Sequence, residues 1–520
     1  MPRAWKREWA LSDKTINPSI ARCVSVLGTG SDVGKSIVVT ALCRIFRNRG
    51  INVAPFKAQN MSNNSYVTPD GGEMGRAQVV QAEAARAPLH TDMNPVLLKP
   101  CTDTGAQVIV NGQALKTCQA REYFADTSWL FQASCQALAR LREQYELVVL
   151  EGAGSCAEVN LRERDFVNLR MAQACQAPVI LVADIDRGGV FAQIVGTLAV
   201  LPPEDRASIA GLIINRFRGD ATLFNDGIAY LEKQTGLPVL GLIPYFYHIE
   251  IDSEDGMPLE SQLDPAQGPQ FGKINVAVLR VPHISNFTDF NPLIREPAVC
   301  LHYLTRVRDL KDYDLLLLPG SKNVRADLQW LRDLGWEACI RGYGKTGGRV
   351  GGICGGYQML GRTIVDPDGV EGPPGETRGL NLLPLVTTLM PSKILKQTEG
   401  IWQANAETVK GYEIHMGVTE SVSPLKALIQ RNCDGSMEGA CSDSGHIWGT
   451  YLHGLFDATA FRQAFLSNLA PDRFLAADSV DDVQLFKDKQ YDLLAEHFEA
   501  YLDMEKLEEI MRWGNGKDGP

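Results

Sequence analysis

The 520-residue chain has no apolar run approaching the ~20 residues that cross a bilayer, so a membrane-spanning role is not expected. It has no CxxC pair and no Cys/His cluster. Its 12 cysteines are scattered, which supports neither a disulfide framework nor a zinc site. A reducing, cytoplasmic compartment is the simplest fit. No block of Lys and Arg occurs, and the formal net charge is −11, which argues against nucleic acid as a partner. The stretch Met1 to Arg22 is mildly basic but lacks an apolar h-region, so a secretory signal is not expected. Residues 1–21 read as an N-terminal extension. No repeat of short fixed period is visible. What remains is a globular chain, 45% hydrophobic, of a size for about two to four domains at ~150 residues each.

The most informative stretch is Gly28 to Ser36, GTGSDVGKS. An apolar run, Cys23 to Leu27, precedes it and reads as a buried strand. Ile37 to Phe46 follows and reads as a helix closed by Gly50. Strand, Gly-rich turn, Gly-Lys-Ser and helix form the context of a phosphate loop. Backbone N–H groups over Gly28, Thr29, Asp32, Val33 and Gly34 would face an anion. Lys35 would neutralise the β/γ-phosphates of ATP, and the Ser36 hydroxyl would reach Mg²⁺. The spacing is one residue longer than G-x-x-x-x-G-K, whose first Gly would fall on Thr29. The plainer alternative is a Gly-rich strand–helix turn.

Residues 22–250 alternate apolar runs with helical patterns, which implies a parallel sheet covered by helices on both faces. Strands are expected at 51–56, 147–150, 178–182, 211–214 and 238–243, and helices at 74–86 and 129–145. Ligands of such sheets lie beyond the carboxyl ends of the strands. Those ends carry Lys57-Ala-Gln-Asn-Met-Ser-Asn-Asn64, Glu151-Gly-Ala-Gly-Ser155, Ala183-Asp-Ile-Asp186 and Asn215-Arg-Phe-Arg218. Taken singly each is ordinary turn chemistry. Together they collect on one edge of one sheet. Glu151 at its strand end suits Mg²⁺, directly or through water.

Residues 251–272 lack periodicity and read as a linker. A second α/β unit, 273–465, has strands at 274–279, 313–318 and 349–353. The last leads into Cys354-Gly-Gly-Tyr-Gln-Met-Leu-Gly361. A Cys between small residues, after a strand and before a helix, is a nucleophile elbow whose glycines let the backbone bend and substrate approach. Much later a strand over 447–452 delivers His453. Cys354 and His453 fit the Cys–His pattern of covalent catalysis, although a lone His is as readily a core residue. From Asp457 the pattern is helical, with packing helices at 461–469 and 483–511. Residues 466–520 are read as C-terminal helices and a frayed tail.

Gly-Gly-Ile-Cys354-Gly-Gly-Tyr-Gln with Tyr-Leu-His453-Gly resembles class I glutamine amidotransferases. The longer phosphate loop resembles that of the dethiobiotin synthetases. The two in one chain, with PFKAQNMSNNS, EMGRAQ, MNPVLLKP, LEGAGSCAEVNL, DIDRGG, PHISNFTDF, PGSKN and GYEIHMG, are similar to the cobyric acid synthase family of cobalamin biosynthesis. The fold implied is α/β throughout: a P-loop parallel-sheet domain followed by a class I glutamine amidotransferase domain. The resemblance implies that Cys354 attacks the glutamine side-chain amide with His453 as base and then acid. Backbone N–H groups near Gly320, Ser321 and Gly355 would form the oxyanion hole, and Gln358 would help seat glutamine. In the first domain ATP would phosphorylate a carboxylate of a corrinoid, with Lys35, Ser36, Glu151 and Mg²⁺ stabilising the charge and Lys57 neutralising the acyl group. Ammonia would pass between domains by a sheltered route. No nucleic-acid or membrane partner is implied, and the oligomeric state, homo-oligomers included, is left open.

Many amidotransferases carry a Glu two residues after the catalytic His; here that position is Leu455. What orients His453 is therefore open. Glu413 is one candidate, and an ordinary strand-face carboxylate is its alternative. The nearest rival reading is cobyrinic acid a,c-diamide synthase. A more distant one is a partitioning-type P-loop ATPase with an inactive amidotransferase domain, which the intact Cys354 and His453 disfavour.

Overall fold

The computed structural model describes residues 20–101, 105–252, 268–474 and 482–513. Its first sheet has six parallel strands in the spatial order Val239–Pro244, Ile209–Phe217, Val179–Asp184, Arg22–Gly28, Leu147–Glu151, Val53–Phe56. The glycine-rich loop follows a central strand, with neighbours that end in Glu151 and Asp184. Several of these strands are buried along their whole length, as a parallel sheet covered on both faces requires. Helix Lys35–Asn48 lies on one face and Ser128–Gln144 on the other side of the chain's core. A small sheet, Gln59–Met61, Val96–Pro100, Gly105–Val110 and Gln113–Gln119, and a two-stranded ribbon, Ser65–Val67 with Glu73–Gly75, extend the domain. The helix expected from Met74 begins at Arg76, because Glu73–Gly75 pairs in that ribbon.

The second domain has the spatial order Val299–Leu304, Ile274–Leu279, Leu315–Leu318, Val350–Ile353, Ile447–Thr450, Ala440–Cys441. All but the last strand are parallel. A second sheet, not legible beforehand, is built on the long hairpin Leu385–Trp402 and Thr408–Ser421. The strand expected over 447–452 stops at Thr450. After Tyr451 the pair Leu452–His453 joins this other sheet, opposite Glu413 and Tyr412. The chain thus changes sheets at Tyr451, two residues before His453.

The C-terminal helical pattern divides into Val483–Glu499 and Met504–Trp513. Both return to the first domain. Leu494, Ala495, Phe498, Leu502 and Leu507 join the core beneath helix Lys35–Asn48. The fully buried Arg44 lies between Asp488 and Asp492, each 2.8 Å away. Most of the expected linker falls outside the described residues. Asp252, at its start, is buried in an ion cluster with Arg76, Lys487 and Arg295, which joins both domains and the C-terminal helix. Among the described residues no helix is long and apolar enough to cross a membrane.

Candidate active site

Cys354 sits where strand Val350–Ile353 meets helix Gly355–Leu360. Its φ of 51° and ψ of −105° lie where L residues are strained, a cost that elbows and other functional turns carry. The surrounding glycines have no room for side chains. A Cβ on Gly355 would lie 2.6 Å from the Ser321 nitrogen, and one on Gly352 would lie 2.6 Å from the Gly356 carbonyl carbon. The elbow nitrogen donates to the Thr450 carbonyl at 2.8 Å, so the Cys and His strands are adjacent. Cys354 and His453 line the same cavity. The Cys354 thiol also points at the Ile414 carbonyl, 3.5 Å away.

The residue that orients His453 is Asp289. Its Oδ2 lies 2.7 Å from His453 Nδ1, and its Oδ1 accepts from the Gly454 N–H at 2.9 Å. Both side chains are buried. Glu413 does not do this. It is one residue beyond Tyr412, which stands opposite His453, so its side chain projects to the other face of the sheet. There it accepts from Thr398 at 2.7 Å and pairs with Arg431 at 2.9 Å. Burial alone would drive the His453 imidazolium to lose its proton. The Asp289 and Cys354 charges outweigh burial and raise it to about 10. Asp289 lies in the stretch PHISNFTDF, 164 residues before His453, and no spacing signal links the two.

A cavity of about 440 Å³ opens on this site. Cys354, Gly355, Gln358, Ser321 and His453 line it, together with Gln107 and Lys99 of the first domain. Gln358 is buried, its Nε2 3.3 Å from the Tyr451 hydroxyl. The Ser321 hydroxyl donates to Asp327 at 2.5 Å and is thereby committed away from the thiol. Gly320 packs so closely that a Cβ would meet His453 Cε1 at 3.1 Å. The structure therefore gathers Cys354, His453, Gly320, Ser321, Gly355 and Gln358 at one place.

In the first domain Gly34 has a φ of 97°, which glycine adopts freely, and it opens helix Lys35–Asn48. The Lys35 ammonium spans the loop to the carbonyls of Gly30 at 2.8 Å and Gly154 at 2.7 Å. Burial lowers its pKa to about 8 against the attraction of Glu151. Glu151 is the hub. Its Oε1 accepts from Ser36 Oγ and from Lys57 Nζ, both at 2.8 Å, and its Oε2 accepts from Gln81. Burial would push this carboxyl up, but Lys57 and these donors hold it below its ordinary value. The oxygens of Ser36 and Glu151 at a helix start form a hard-donor set that fits Mg²⁺. Gly28 and Val33 are buried in the loop, and Val33 offers its carbonyl to Asn215 Nδ2 at 2.9 Å. Thr29 faces Gln193 at 3.5 Å, and Asp32 lies at the exposed rim 3.8 Å from Arg187. Asn215 belongs to the strand-end cluster that the sequence marks, whereas Gln81 is not announced, because a mid-helix Gln carries no motif of its own.

A strained Cys elbow backed by a buried His–Asp pair, joined to a parallel sheet with a phosphate loop, defines a glutamine-dependent amidating ligase. Two family models agree with this division: a CobQ/CobB/MinD/ParA nucleotide binding domain matches residues 24–259, and a CobB/CobQ-like glutamine amidotransferase domain matches residues 275–461. The chain is 56% identical over 501 residues to a cobyric acid synthase of Chlorobium phaeobacteroides (strain BS1), covering 95% of this chain and 100% of that one. It is 55% identical to that of Chlorobaculum tepidum, covering 93% and 97%. It is 47% identical to that of Phocaeicola vulgatus, covering 94% and 98%. The chain belongs to the cobyric acid synthase family.

Proposed function

We propose that this enzyme amidates the b, d, e and g carboxylates of adenosylcobyrinic acid a,c-diamide in cobalamin biosynthesis, with ATP and glutamine. The observation that carries the glutaminase half is the Cys354–His453–Asp289 arrangement in a cavity shared by both domains. Cys354 Sγ attacks the glutamine side-chain carbonyl. The oxyanion that forms is met by backbone N–H groups around Gly320, Ser321 and Gly355, each typically contributing ~2.7–4 kcal/mol to such a step. His453 holds the thiol proton as the imidazolium before the attack and gives it to the departing ammonia, and water then releases glutamate from the thioester. Asp289 holds the imidazole ring and stabilises its charged form. Gln358 helps seat glutamine.

In the first domain the loop from Gly28 to Ser36 holds the nucleotide phosphates through backbone N–H groups, with Lys35 released from the Gly30 and Gly154 carbonyls to meet them. Ser36 and Glu151 would hold Mg²⁺, which screens phosphate charge when bound. A substrate carboxylate is activated as its acyl phosphate, Lys57 neutralises it, and ammonia displaces phosphate to give the amide. We place the enzyme in the cytoplasm, where its cysteines would stay reduced.

The test is amidation of the a,c-diamide followed by mass spectrometry, with glutamine or free ammonia as the nitrogen source. Cys354→Ala is expected to lose glutamine-dependent product and keep ammonia-dependent product, with four amides added by the wild type. A variant that still uses glutamine would overturn the glutaminase assignment. Product from cobyrinic acid itself, with amides at a and c, would favour the a,c-diamide synthase instead.

A further inference from the structure

The glutaminase site is not closed by its own domain. Segment Asn64–Ser65 of the synthetase domain reaches it in two places. The first is the turn that carries Asp289. Asn286 starts that turn with a left-handed φ of 52°, and its carbonyl accepts from the Asp289 N–H at 3.0 Å. Asn286 is bonded reciprocally to the other domain. Its N–H donates to Asn64 Oδ1 at 2.6 Å, and its Oδ1 accepts from the Ser65 N–H at 3.0 Å. The second place is Tyr412, which faces His453 in the sheet register. Its ring lies against the imidazole at a centroid distance of 5.3 Å and an angle of 20°. Its hydroxyl donates to the Ser65 carbonyl at 3.2 Å, and the Tyr66 ring packs against it at a centroid distance of 4.4 Å. Asn64, Ser65, Asn286 and Tyr412 are all buried.

We infer that the synthetase segment Asn64–Ser65 is a positioning element of the glutaminase: through Asn286 it fixes Asp289, and through Tyr412 it fixes the ring of His453. Two hydrogen bonds hold Asn286, whose carbonyl caps the turn that carries Asp289, and a third holds the Tyr412 ring beside the imidazole; all three join these residues to the domain that consumes ammonia. Undocking that domain would loosen both supports at once. Glutamine hydrolysis is then tied to a docked synthetase, and ammonia is made where it can be used. A loss of about 1 Å in such positioning can cost on the order of 100-fold in rate.

This inference rests on the reading of Cys354 and His453 as the glutaminase, which the Cys354→Ala result tests separately. The experiment uses the full chain with Asn286→Gly and Tyr412→Phe. Glycine accepts the left-handed backbone but removes the acceptor for Ser65. Phenylalanine keeps the ring on His453 but removes the bond to Ser65. Glutamine hydrolysis is measured against pH alongside ammonia-dependent amidation. Asn286→Gly is expected to lower kcat for glutamine about 10-fold or more with little change in KM, and to move the alkaline limb of the profile to lower pH. Tyr412→Phe is expected to lower kcat in the same direction by less. Ammonia-dependent amidation, which shows that the chain is folded, is expected to stay near wild type. Wild-type kcat and pH profile in both variants, or a change confined to KM with the profile unmoved, would overturn the inference. So would loss of ammonia-dependent amidation in step with glutamine hydrolysis, since the contacts would then be general interface packing.

Discussion

His453 shows how one buried contact sets a chemical state. The ordinary imidazole titrates near 6.5, and burial would lower that. Asp289 and Cys354 instead raise it to about 10, so the ring keeps its proton through neutral pH. Because the folded value exceeds the unfolded one, the stability this pair contributes is complete below about pH 6.5 and is lost as pH rises through about 10. Asp289→Asn removes the charge and keeps the shape. Glutamine hydrolysis is expected to fall by roughly 10²–10⁴-fold, the usual range for a proton-transfer group put out of action. The residual activity should lose its alkaline limb at lower pH than the wild type. An unchanged profile from stopped-time glutamate assays would show that Asp289 does not control the ring. Glu413, the carboxylate nearer in sequence, is expected to leave the profile in place, since it is committed to Arg431 and Thr398 on the opposite face.

The elbow is the element that turns a strand register into a reactive geometry. Strand Val350–Ile353 aims the chain, Cys354 takes the strained conformation, and helix Gly355–Leu360 packs back so tightly that Gly352 touches the Gly356 backbone. A methyl on Gly352 would press on backbone, which cannot rotate away. Gly352→Ala is expected to cost ~1–3 kcal/mol or more in the second domain and to displace Cys354. Thermal unfolding should show the loss, with glutamine-dependent amidation falling further than ammonia-dependent amidation. Equal loss of both would mean that the elbow is not locally strained by the change. The phosphate loop is the corresponding element of the first domain, and it differs in that Lys35 has its own backbone partners at Gly30 and Gly154. That arrangement keeps the buried ammonium satisfied, and it must be given up when phosphate enters.

At the scale of the whole molecule the chain does not end where its second domain does. After the amidotransferase fold it returns, and two helices complete the core of the first domain. Phe498 is fully buried there. Phe498→Ala is expected to cost ~3–5 kcal/mol. In scanning calorimetry the transition that falls should be the one that ATP and Mg²⁺ raise, because a ligand stabilises the unit that binds it. If the other transition fell instead, the C-terminal helices would belong energetically to the amidotransferase. The buried cluster of Asp252, Arg76, Arg295 and Lys487 adds a third tie between the domains at the crossover itself. Breaking such a cluster leaves charges without partners, which favours a single docked arrangement over a loose one.

Local pattern was enough for much of this. Alternating apolar runs and helical periods marked Arg22–Gly28, Lys35–Asn48, Leu147–Glu151, Ile274–Leu279 and Val350–Ile353 to within a few residues, because parallel strands buried on both faces leave unbroken apolar runs. The glycines around Lys35 and Cys354 were legible for the same reason: backbone demands at a turn are met by the residues of that turn. Partners distant in the chain were not legible. Asp289 meets His453, Gln81 meets Glu151, and Arg44 meets Asp488 only because separate elements pack together. The switch of His453 from one sheet to the other lies in a single residue, Tyr451, whose type does not announce it. Local pattern alone marks the central parallel strands, the phosphate loop and the Cys elbow. The tertiary structure decided which carboxylate faces the histidine and that one domain braces the active site of the other, since those follow from sheet face and docking rather than from spacing along the chain.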